Sequence, residues 1–407
     1  MKKMFDIIVI GGGASGMIAA ICAKRQNPQL KIALIEKNER FGKKLALTGN
    51  GRCNISNKNI SLGNFHGEDP EFCKTALEDF NLDATRDFFE SIGVIFKEGE
   101  NGKLYPYSLQ ASSVVDALRF EIERLGIDCV FSEEITSIKK TDSGFSLSGK
   151  NIYKSKCVII ASGGISGGKI ASDTGFELLK NLGHSLVDLS PAIVQIKTEN
   201  TLTKQLKGVK IDAYATVLKA GKAIKRDFGE VLFCDYGLSG PPILQLSRYL
   251  KKGDEISLDL MPDFDEKALI SLLYTRASTL SATASEFFTG LLQKRLGQVI
   301  LKELGFGLNN IFSPEYKDII RLAKAIKDFR FKFLDTNGFN NAQVTHGGIF
   351  TSEFSDKTLM SKLNDGLFAC GEVLDIDGDC GGYNLQWAWS SGYKAGLSAA
   401  EFSEGKR

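Results

Sequence analysis

Several features that would define other classes of protein are scarce in this sequence. Among its 407 residues are 8 prolines, 3 histidines and 2 tryptophans. No stretch approaches the run of about 18 apolar residues that a membrane-spanning helix needs. The charges nearly balance, with 51 Lys and Arg against 49 Asp and Glu, so charge gives no reason to expect nucleic acid as a partner. We expect two or three folded domains, no nucleic acid and no membrane span.

The sequence also lacks the cysteine spacing of a disulfide framework or a zinc site. Its 8 cysteines are scattered, and no two form a C-x-x-C pair. The apolar stretch near the N-terminus is short, from Ile7 to Ile10, and Asp6 precedes it. That pattern does not resemble a signal peptide. We therefore expect a cytoplasmic protein with free thiols.

Glycine, in contrast, is abundant, and the first cluster follows a predicted strand. Residues 5–10 form a short apolar run rich in β-branched side chains, typical of a strand buried on both faces. The run enters Gly-Gly-Gly-Ala-Ser-Gly at 11–16, which fits G-x-G-x-x-G, and an Ala-rich helical stretch follows. Residues 31–35 are predicted as the second strand, which ends at Glu36. This strand–turn–helix–strand context predicts a dinucleotide-binding βαβ unit.

Each glycine of the motif, and the acid that follows the second strand, has a physical role in a dinucleotide site. Gly11 permits a tight turn, Gly13 lets the backbone approach a pyrophosphate, and Gly16 lets the helix pack closely on the strand. The helix N-terminus offers free N–H groups to the phosphates. Glu36 can accept hydrogen bonds from the adenosine ribose, and its charge would repel a 2′-phosphate. The site therefore favours FAD or NAD over NADP.

Two distant segments favour FAD, which is longer than NAD and needs a site that continues past the pyrophosphate. Residues 157–164 and 365–375 are both predicted as buried strands that end in glycine turns. Glu372 in the second segment can bind the ribityl hydroxyls. A helix beginning near 382–385 can direct its N-terminus to the N1–C2=O edge of the flavin, where negative charge accumulates on reduction.

A second glycine-rich loop, from Leu47 to Asn54, is another candidate for cofactor contact. Its glycines free backbone N–H groups for a ligand, Arg52 can neutralise phosphate, and Asn54 can bond a flavin edge. Lys43 and Lys44 flank the loop and are candidates for the pyrophosphate. Cys53 in the same loop has no cysteine partner close in sequence, so we expect a packing role more than a redox role.

These motifs resemble one group of flavoproteins. The segments that carry the resemblance are GGGASG at 11–16, GKKLALTGNGRCNISN at 42–57, ASGGISGG at 161–168, DTGFELLKNLGHSLVDLSPA at 173–192, GEVLFCDYGLSGPPILQLS at 229–247, AQVTHGGI at 342–349 and GEVLDIDGDCGGYNLQWAWSSGYKAG at 371–396. Together they are similar to the two-dinucleotide-binding-domain flavoproteins, and within them to the BaiN-like bacterial flavoproteins, also described as aminoacetone-oxidase-family enzymes. The resemblance implies tightly held FAD, a Rossmann-like FAD domain and an inserted middle domain.

The pattern and the resemblance together predict a set of FAD contacts. The predicted cofactor-binding residues are Gly11, Gly13, Ala14, Ser15, Gly16, Glu36, Lys37, Lys43, Lys44, Thr48, Gly49, Gly51, Arg52, Cys53, Asn54, Ile135, Ser162, Gly163, Gly371, Glu372, Gly381, Gly382, Tyr383, Asn384 and Leu385. No metal is expected: the acidic run Asp375-x-Asp377-x-Asp379 has Cys380 and Gln386 where a calcium loop needs Gly and Glu.

The fold class expected is α/β, with a Rossmann-like FAD-binding domain and an inserted β-rich domain that carries a helical subdomain. The FAD domain is expected at 1–190 and 336–407, and the insert at 191–335. Within the insert, the periodicity predicts strands in 213–225, 230–235 and 255–262. The helical subdomain spans about 264–328, with predicted helices at 264–280, 284–304 and 314–328.

The function expected is that of an FAD-dependent oxidoreductase. NADH or NADPH would be the transient electron donor, and the flavin would pass hydride from N5 to a small organic substrate, for example an unsaturated ketone of the steroid or bile-acid type. Two alternatives remain, an amine oxidase that uses oxygen and a flavin-binding sensor without turnover. The sequence identifies no catalytic residue. His346 lies in a glycine turn from which it could reach the flavin, but we expect a surface or structural role more than a catalytic one. His184 follows a predicted helix end, where a cation is favourable.

Overall fold

The computed structural model describes residues 4–405, with the side chains of Lys169 and Asn200 left aside. The helices are α1 (Ala14–Gln26), α2 (Thr48–Gly51), α3 (Lys74–Asp79), α4 (Leu82–Ser91), α5 (Ala111–Arg124), α6 (Thr174–Asn181), α7 (Asn200–Gln205), α8 (Pro241–Leu246), α9 (Glu266–Thr279), α10 (Lys294–Glu303), α11 (Tyr316–Lys327) and α12 (Tyr383–Ser403). The strands are β1 (Met4–Ile10), β2 (Ile32–Ile35), β3 (Ser56–Asn57), β4 (Phe65–His66), β5 (Phe96–Glu98), β6 (Lys103–Pro106), β7 (Asp128–Val130), β8 (Ser137–Thr141), β9 (Gly144–Ser148), β10 (Ile152–Ile160), β11 (Ser190–Ala192), β12 (Ile196–Thr198), β13 (Lys210–Lys219), β14 (Lys222–Phe233), β15 (Gly237–Ser239), β16 (Glu255–Asp259), β17 (Phe329–Thr336), β18 (Val344–His346), β19 (Leu367–Ala369) and β20 (Asp377–Gly378).

The backbone packs into two compact units, each with its own hydrophobic core. Unit 1 contains the described residues up to Ser190 and those from Gln343 onward, and unit 2 runs from Pro191 to Ala342. The chain therefore leaves unit 1 once and returns to it once. The predicted return at residue 336 lies seven residues before Gln343, where the backbone rejoins unit 1.

The centre of unit 1 is a mostly parallel sheet. Its order is β7-β2-β1-β10, with β19 parallel to the end of β10 and the antiparallel strands β9 and β8 beyond. Every residue of β2 is buried, as are the last four of β1 and of β10. Continuous burial of this kind is typical of a parallel strand with both faces covered. The carboxyl ends of β1, β2, β10 and β19 lie at one edge, where such sheets bind their ligands.

The first and last helices of unit 1 pack tightly together, although their starts, Ala14 and Tyr383, are 369 residues apart in the sequence. A Cβ added to Gly392 would lie 2.4 Å from the Ser15 carbonyl oxygen, and one added to Gly396 would lie 2.4 Å from that of Ala19. The two glycines are one turn apart on α12, as are Ser15 and Ala19 on α1. The backbones of α1 and α12 can approach this closely only because α12 has glycine on the face that contacts α1. The close packing fixes α12 against the start of α1.

Unit 2 is built around a closed antiparallel barrel with the order β12-β15-β14-β13-β16-β17. Burial alternates along β17, where Phe329, Phe331 and Phe333 point inward between exposed residues. Helices α9, α10 and α11 add further buried aliphatic side chains to the same core. The expectation of a β-rich insert with three main helices describes this unit well.

Two details of unit 2 differ from the sequence prediction. The run at 213–225 is a hairpin, because Ala220 and Gly221 both have positive φ (47° and 76°) and reverse the chain. The helix predicted at 284–304 is shorter, since α10 begins only at Lys294. Gly290, with φ of 78°, interrupts the preceding segment, and the Gln293 side chain caps the new helix by accepting a hydrogen bond from the Leu296 N–H.

Across the described part of the chain, no helix combines the length and the hydropathy needed to cross a membrane.

Candidate cofactor and active site

The turn between β1 and α1 has the geometry that a dinucleotide requires. A Cβ on Gly11 would lie 2.4 Å from the Ala161 carbonyl oxygen, and one on Gly16 would lie 1.9 Å from that of Gly11. Both positions therefore exclude any larger residue. A Cβ on Gly13 would meet no atom within 4 Å, so the backbone there is open to a ligand. Gly13 is also the N-cap of α1 and has no side chain to occupy the first N–H groups, which include those of Ala14 and Ser15.

Glu36 ends β2 beside this turn, as the sequence predicted. It is 8% exposed, and its Oε2 accepts the Gly12 N–H at 2.8 Å. The other oxygen, Oε1, accepts the backbone N–H and the side-chain amide of Asn38 at 2.8 and 2.6 Å. These bonds fix the carboxylate at the glycine turn, and the second lone pair of Oε2 remains able to accept a ribose hydroxyl.

A third segment, residues 370–372, joins α1 to α12. The Ser15 hydroxyl donates to the Cys370 carbonyl at 3.5 Å, and the Gly371 N–H donates to the Ser391 hydroxyl at 2.9 Å. The indole N–H of Trp387 donates to the Gly371 carbonyl at 3.2 Å. Gly371 has φ of 76°, and a Cβ there would lie 2.5 Å from the Ser15 Oγ. The N-terminus of α1 and the turn after β19 are therefore held within one hydrogen-bonded cluster.

Glu372, the predicted ribityl ligand, is the centre of a polar network. Its Oε2 accepts the Lys44 ammonium at 2.6 Å and the Gly164 N–H at 3.4 Å. Its Oε1 accepts the Thr345 N–H at 2.7 Å. The Thr345 hydroxyl in turn accepts the Ser166 N–H at 3.0 Å. Four separate segments therefore meet at one carboxylate that is only partly buried.

The N-terminus of α12 lies close to the loop at 54–56. Gly382, the N-cap, has φ of 103°, and a Cβ there would lie 2.5 Å from the Ser56 carbonyl oxygen. The Asn384 amide brackets Gly378, because its Oδ1 accepts the Gly378 N–H at 2.7 Å and its Nδ2 donates to the Gly378 carbonyl at 2.8 Å. Asn384 therefore orders the turn before the helix, a task that the sequence did not suggest.

The loop at 47–54 is compact and unusual in its backbone. Gly49, Asn50 and Gly51 all have positive φ, and no atom lies within 4 Å of a Cβ added to Gly51. The Arg52 guanidinium lies over the Tyr105 ring, 5.0 Å from its centre. The Thr48 hydroxyl donates to the Leu45 carbonyl at 2.7 Å. Loop backbone at Gly51 is thus open to a ligand, while the side chains of Thr48 and Arg52 have partners within the protein.

Cys53 and Asn54 point inward from this loop. Cys53 is fully buried, and burial raises the pKa of its thiol to about 12. A thiol that remains protonated is a poor nucleophile, which favours the packing role expected from the sequence. The Asn54 Oδ1 accepts the Leu104 N–H at 3.2 Å, so this atom is occupied within the protein.

Other predicted contacts lie near the same edge of the sheet, each with a protein partner. Lys37 donates to the Ala171 carbonyl at 2.8 Å, and burial lowers its pKa. Lys43 pairs with Glu39 at 3.2 Å. Ile135 is buried in the hydrophobic core. These contacts neither establish nor exclude a role in FAD binding, which stays a prediction.

The turn after β10 combines a buried hydroxyl with open glycine backbone. Among the described residues, the buried Ser162 hydroxyl has no hydrogen-bond partner. Next to it, Gly163 has φ of 73°, and a Cβ there would have only the Glu372 Oε2 nearby, at 3.9 Å. The Ser162 hydroxyl faces α6, because a Cβ added to Gly175 would lie 1.7 Å from its Oγ, whereas the backbone at Gly163 is open to a ligand.

The acidic run at 375–379 is where sequence reasoning missed most. Asp377 bonds the His346 Nδ1 at 2.6 Å, and Asp379 bonds the His66 Nε2 at 2.7 Å. Asp375 accepts the Glu68 N–H at 2.8 Å, and desolvation raises the pKa of this nearly inaccessible carboxyl. Asp375 and Asp379 thus anchor the segment at 66–68, and Asp377 anchors His346. Within the part of the chain that the structure describes, no group of acidic, His or Cys side chains is arranged to hold a metal ion.

His184 also differs from expectation. Its ring is buried, stacks on Phe354 with centres 4.5 Å apart, and bonds Glu353 at 2.8 Å. Burial lowers the pKa of His184 despite the carboxylate partner. The expectation of a cation at the end of α6 is therefore wrong, because desolvation lowers the pKa of His184 by more than the Glu353 carboxylate raises it.

Together these features define an FAD-binding Rossmann domain. They are a parallel sheet, a G-x-G-x-x-G turn, an anchored acid after β2, open glycine backbone and a second helix N-terminus at the same edge of the sheet. The residues fit the cofactor, because a Cβ on Gly13 would meet no atom within 4 Å and one on Gly163 would meet only the Glu372 Oε2, so the backbone is open to a ligand at both positions. Comparison with known proteins agrees with this class.

The chain belongs to the family described as HI0933-like protein Rossmann domain, which it matches over residues 5–398. A relative from Clostridium scindens, named 3-dehydro-bile acid delta(4,6)-reductase, is 36% identical over 98% of this chain and 100% of the relative. A relative from Escherichia coli, named ribosomal RNA dihydrouridine synthase, is 31% identical over 96% of this chain and 97% of the relative.

Solved structures show the same fold. Quinol fumarate reductase FrdA from E. coli aligns with a TM-score of 0.52 at 18% identity, covering 99% of this chain and 71% of that one. A flavocytochrome c3 fumarate reductase in an open conformation has a TM-score of 0.50 at 16% identity, covering 98% of this chain and 79% of that one. The predictions of a BaiN-like flavoprotein, a Rossmann-type FAD domain and a flavin-dependent oxidoreductase are confirmed at this level.

Proposed function

We propose that this enzyme reduces a carbon–carbon double bond conjugated to a carbonyl group, with NADH or NADPH as the electron donor. Bound FAD supplies the hydride-transfer chemistry, taking two electrons from the nicotinamide and passing them to the substrate. The small-molecule substrate class that we favour is an unsaturated ketone of the bile-acid or steroid type.

One observation carries this proposal, namely the chemistry that the relatives' names share. A 3-dehydro-delta(4,6) bile acid has two double bonds in conjugation with its 3-oxo group. Dihydrouridine differs from uridine by two hydrogens across C5=C6, a bond conjugated to the C4 carbonyl. Both names therefore describe the addition of two hydrogens across a carbon–carbon double bond conjugated to a carbonyl group. Hydride adds to the electron-poor carbon of such a system, which is the β-carbon of the bond next to the carbonyl, and a proton then adds to the α-carbon.

The residues of unit 1 support this role by binding and orienting the cofactor. The N–H groups after Gly13 would bind the pyrophosphate, and Glu36 would accept the adenosine ribose hydroxyls. Glu372, held by Lys44 and the Thr345 N–H, would accept ribityl hydroxyls. The N-terminus of α12 would stabilise negative charge at the flavin N1–C2=O edge.

A second candidate is reduction of a uridine in RNA, which the names of the E. coli relative and of a Haemophilus influenzae relative favour. The latter is 28% identical over 98% of this chain. The C. scindens relative has the higher identity, 36%. The nearly balanced charge of the chain also favours the small molecule, because RNA binding relies on a basic surface.

Anaerobic stopped-flow spectroscopy tests the proposal in two steps. The purified holoenzyme is mixed with NADH or NADPH, and we expect bleaching of the flavin band. The reduced protein is then mixed with a 3-oxo-4,6-diene bile acid, a saturated 3-oxo bile acid as control, or rRNA that lacks dihydrouridine. Reoxidation by the dienone alone supports the favoured substrate, and reoxidation by the rRNA alone supports the second candidate.

Two other results would contradict the proposal. Flavin reduction by amines with release of peroxide, without added nicotinamide nucleotide, would indicate an amine oxidase. A flavin that neither nicotinamide nucleotides nor amines reduce would indicate a sensor without turnover.

A further inference from the structure

Reduction of an unsaturated carbonyl needs a proton donor, and the strongest candidate is a histidine–carboxylate pair in unit 1. The His346 Nδ1 lies 2.6 Å from the Asp377 Oδ1. The Asp377 side chain is 1% exposed, whereas that of His346 is 35% exposed. A buried carboxylate thus orients a ring that solvent and ligands can reach. This is the arrangement in which an aspartate fixes the tautomer of a catalytic imidazole.

The placement of the pair follows from its sequence neighbours. Thr345, one residue before His346, donates its N–H to Glu372, the expected ribityl ligand. Gly378, one residue after Asp377, is bracketed by the Asn384 amide in the first turn of α12. The pair therefore lies between the parts of the site assigned to the ribityl chain and to the N1–C2=O edge. A flavin ring bound as proposed would span those two points.

The surrounding acids set the electrostatics of the imidazole. Asp375 is 1% exposed, and one of its oxygens, Oδ1, has no hydrogen-bond partner among the described residues. Its charge interacts with both His346 and Asp377, and Glu68 also acts on Asp375. Carboxylates near a histidine favour its cationic form, which is the form that can donate a proton.

We infer that His346 is the acid that protonates the α-carbon of the substrate and that Asp377 positions it. The inference rests on the proposed function. The two electrons and one hydrogen added at the β-carbon would come as hydride from the reduced nicotinamide nucleotide, and bound FAD would supply the chemistry of that transfer. The His346 imidazolium gives up the proton on Nε2 to the α-carbon, the double bond becomes a single bond, and the neutral ring takes a proton from water.

The placement of His346 can be tested without any substrate. The chain has 3 histidines, so NMR of histidine-labelled holoenzyme gives three ring signals, which H346Q and H66Q assign. We expect reduction of the holoenzyme by dithionite to shift the His346 signal and raise its titration midpoint, because the reduced flavin carries negative charge. The signal of the buried His184 should not move. Asp377→Asn should lower the His346 midpoint by removing a neighbouring negative charge.

Proton delivery is tested by reoxidation of the reduced holoenzyme with the 3-oxo-4,6-diene bile acid. We expect His346→Gln to slow reoxidation by about 10²- to 10⁴-fold, the usual contribution of a general acid, and to leave reduction by the nicotinamide nucleotide unchanged. Asp377→Asn should cause a smaller loss and move the alkaline limb of the pH profile to lower pH. His66→Gln is the matched control, because His66 has its own aspartate partner at 2.7 Å and should keep the wild-type rate and profile.

Two results would overturn the inference: a His346 signal that reduction of the flavin does not affect, or an H346Q protein that the dienone reoxidises at the wild-type rate. If the dienone does not reoxidise the wild-type protein, the favoured substrate is wrong. The NMR shift then decides on its own whether His346 lies beside the flavin.

Discussion

At the scale of single residues, carboxylates organise unit 1. Glu36 fixes the glycine turn through the Gly12 N–H, and Glu372 joins Lys44 to the Thr345 backbone. Asp377 holds His346. Each of these acids makes hydrogen bonds within the protein, and each is predicted to lie beside the cofactor. A substitution at such a residue therefore changes both local order and ligand binding, and the two effects must be separated.

Replacement of Glu36 by alanine should weaken FAD binding. The loss of charged hydrogen bonds to the ribose costs about 1.5–3 kcal/mol, which corresponds to roughly a 10- to 150-fold higher Kd. Flavin-fluorescence titration of the apoprotein measures it. Glu36→Gln keeps one acceptor oxygen and should give an intermediate Kd. An unchanged Kd for the alanine variant would mean that the adenosine end binds elsewhere.

The buried His184 predicts a pH-dependent stability. Its pKa is lowered in the folded protein from the ordinary 6.5, so the unfolded chain binds the proton more readily. Stability should therefore be lost as pH falls below about 6.5. The partner Glu353 has a lowered pKa, because bonds from Ser185 and His184 outweigh its partial burial. Its own contribution falls at more acidic pH.

Thermal unfolding between about pH 7.5 and 5 tests this prediction. The Tm of the wild-type protein should decline more steeply with falling pH than the Tm of His184→Asn, which lacks the titrating ring. Parallel curves for the two proteins would show that His184 does not bind its proton differently in the two states.

At the scale of elements, the contact between α1 and α12 is the feature that builds the site. Gly392 and Gly396 let α12 approach the backbone of α1 at Ser15 and Ala19. The segment around Gly371 bonds both helices. The two helix N-termini thus reach the same edge of the sheet, where we propose that one binds the phosphates and the other faces the flavin.

Gly392→Ala should disturb this contact. The added methyl would lie 2.4 Å from the Ser15 carbonyl oxygen, and overpacking of this kind costs about 1–3 kcal/mol. We expect a lower Tm and faster loss of FAD on dilution. Gly63→Ala is the control, because a Cβ there has only the Ser61 Oγ nearby, at 3.8 Å. If G392A and G63A behaved alike, the helix contact would not limit cofactor retention.

At the scale of the whole molecule, the chain forms two compact units with separate cores. The residues predicted to bind FAD all belong to unit 1. Unit 2 contributes a closed barrel whose strands are paired on both sides. The stability that FAD adds should therefore be concentrated in one unit, since a ligand stabilises the structure that it binds.

Hydrogen exchange of the holoenzyme and the apoprotein measures that distribution. Removal of FAD should increase exchange in β1, α1 and α12, and should leave the amides of β13, β14 and β16 nearly unchanged. A uniform increase over both units would mean that they unfold as a single cooperative body.

The sequence alone determined the βαβ unit, since a strand, a glycine turn, a helix and Glu36 lie within 36 residues and depend on local patterns. It also indicated the closing glycine turn and helix at 381–400. Local periodicity did not predict the turn at Ala220-Gly221, which lies inside the run predicted as strand. It also did not predict that α10 begins only at Lys294. Those boundaries depend on backbone conformations that hydrophobic spacing does not encode.

Only the tertiary structure decided which distant side chains meet. Asp377 and His346 are 31 residues apart, and Glu372 and Lys44 are 328 apart. Contacts over such separations arise from the order of strands in the sheet and from the packing of α12 on α1. A single sequence shows a histidine in a glycine turn and an acid in a polar loop. Their hydrogen bond exists because the fold brings both loops to the edge where the strands end.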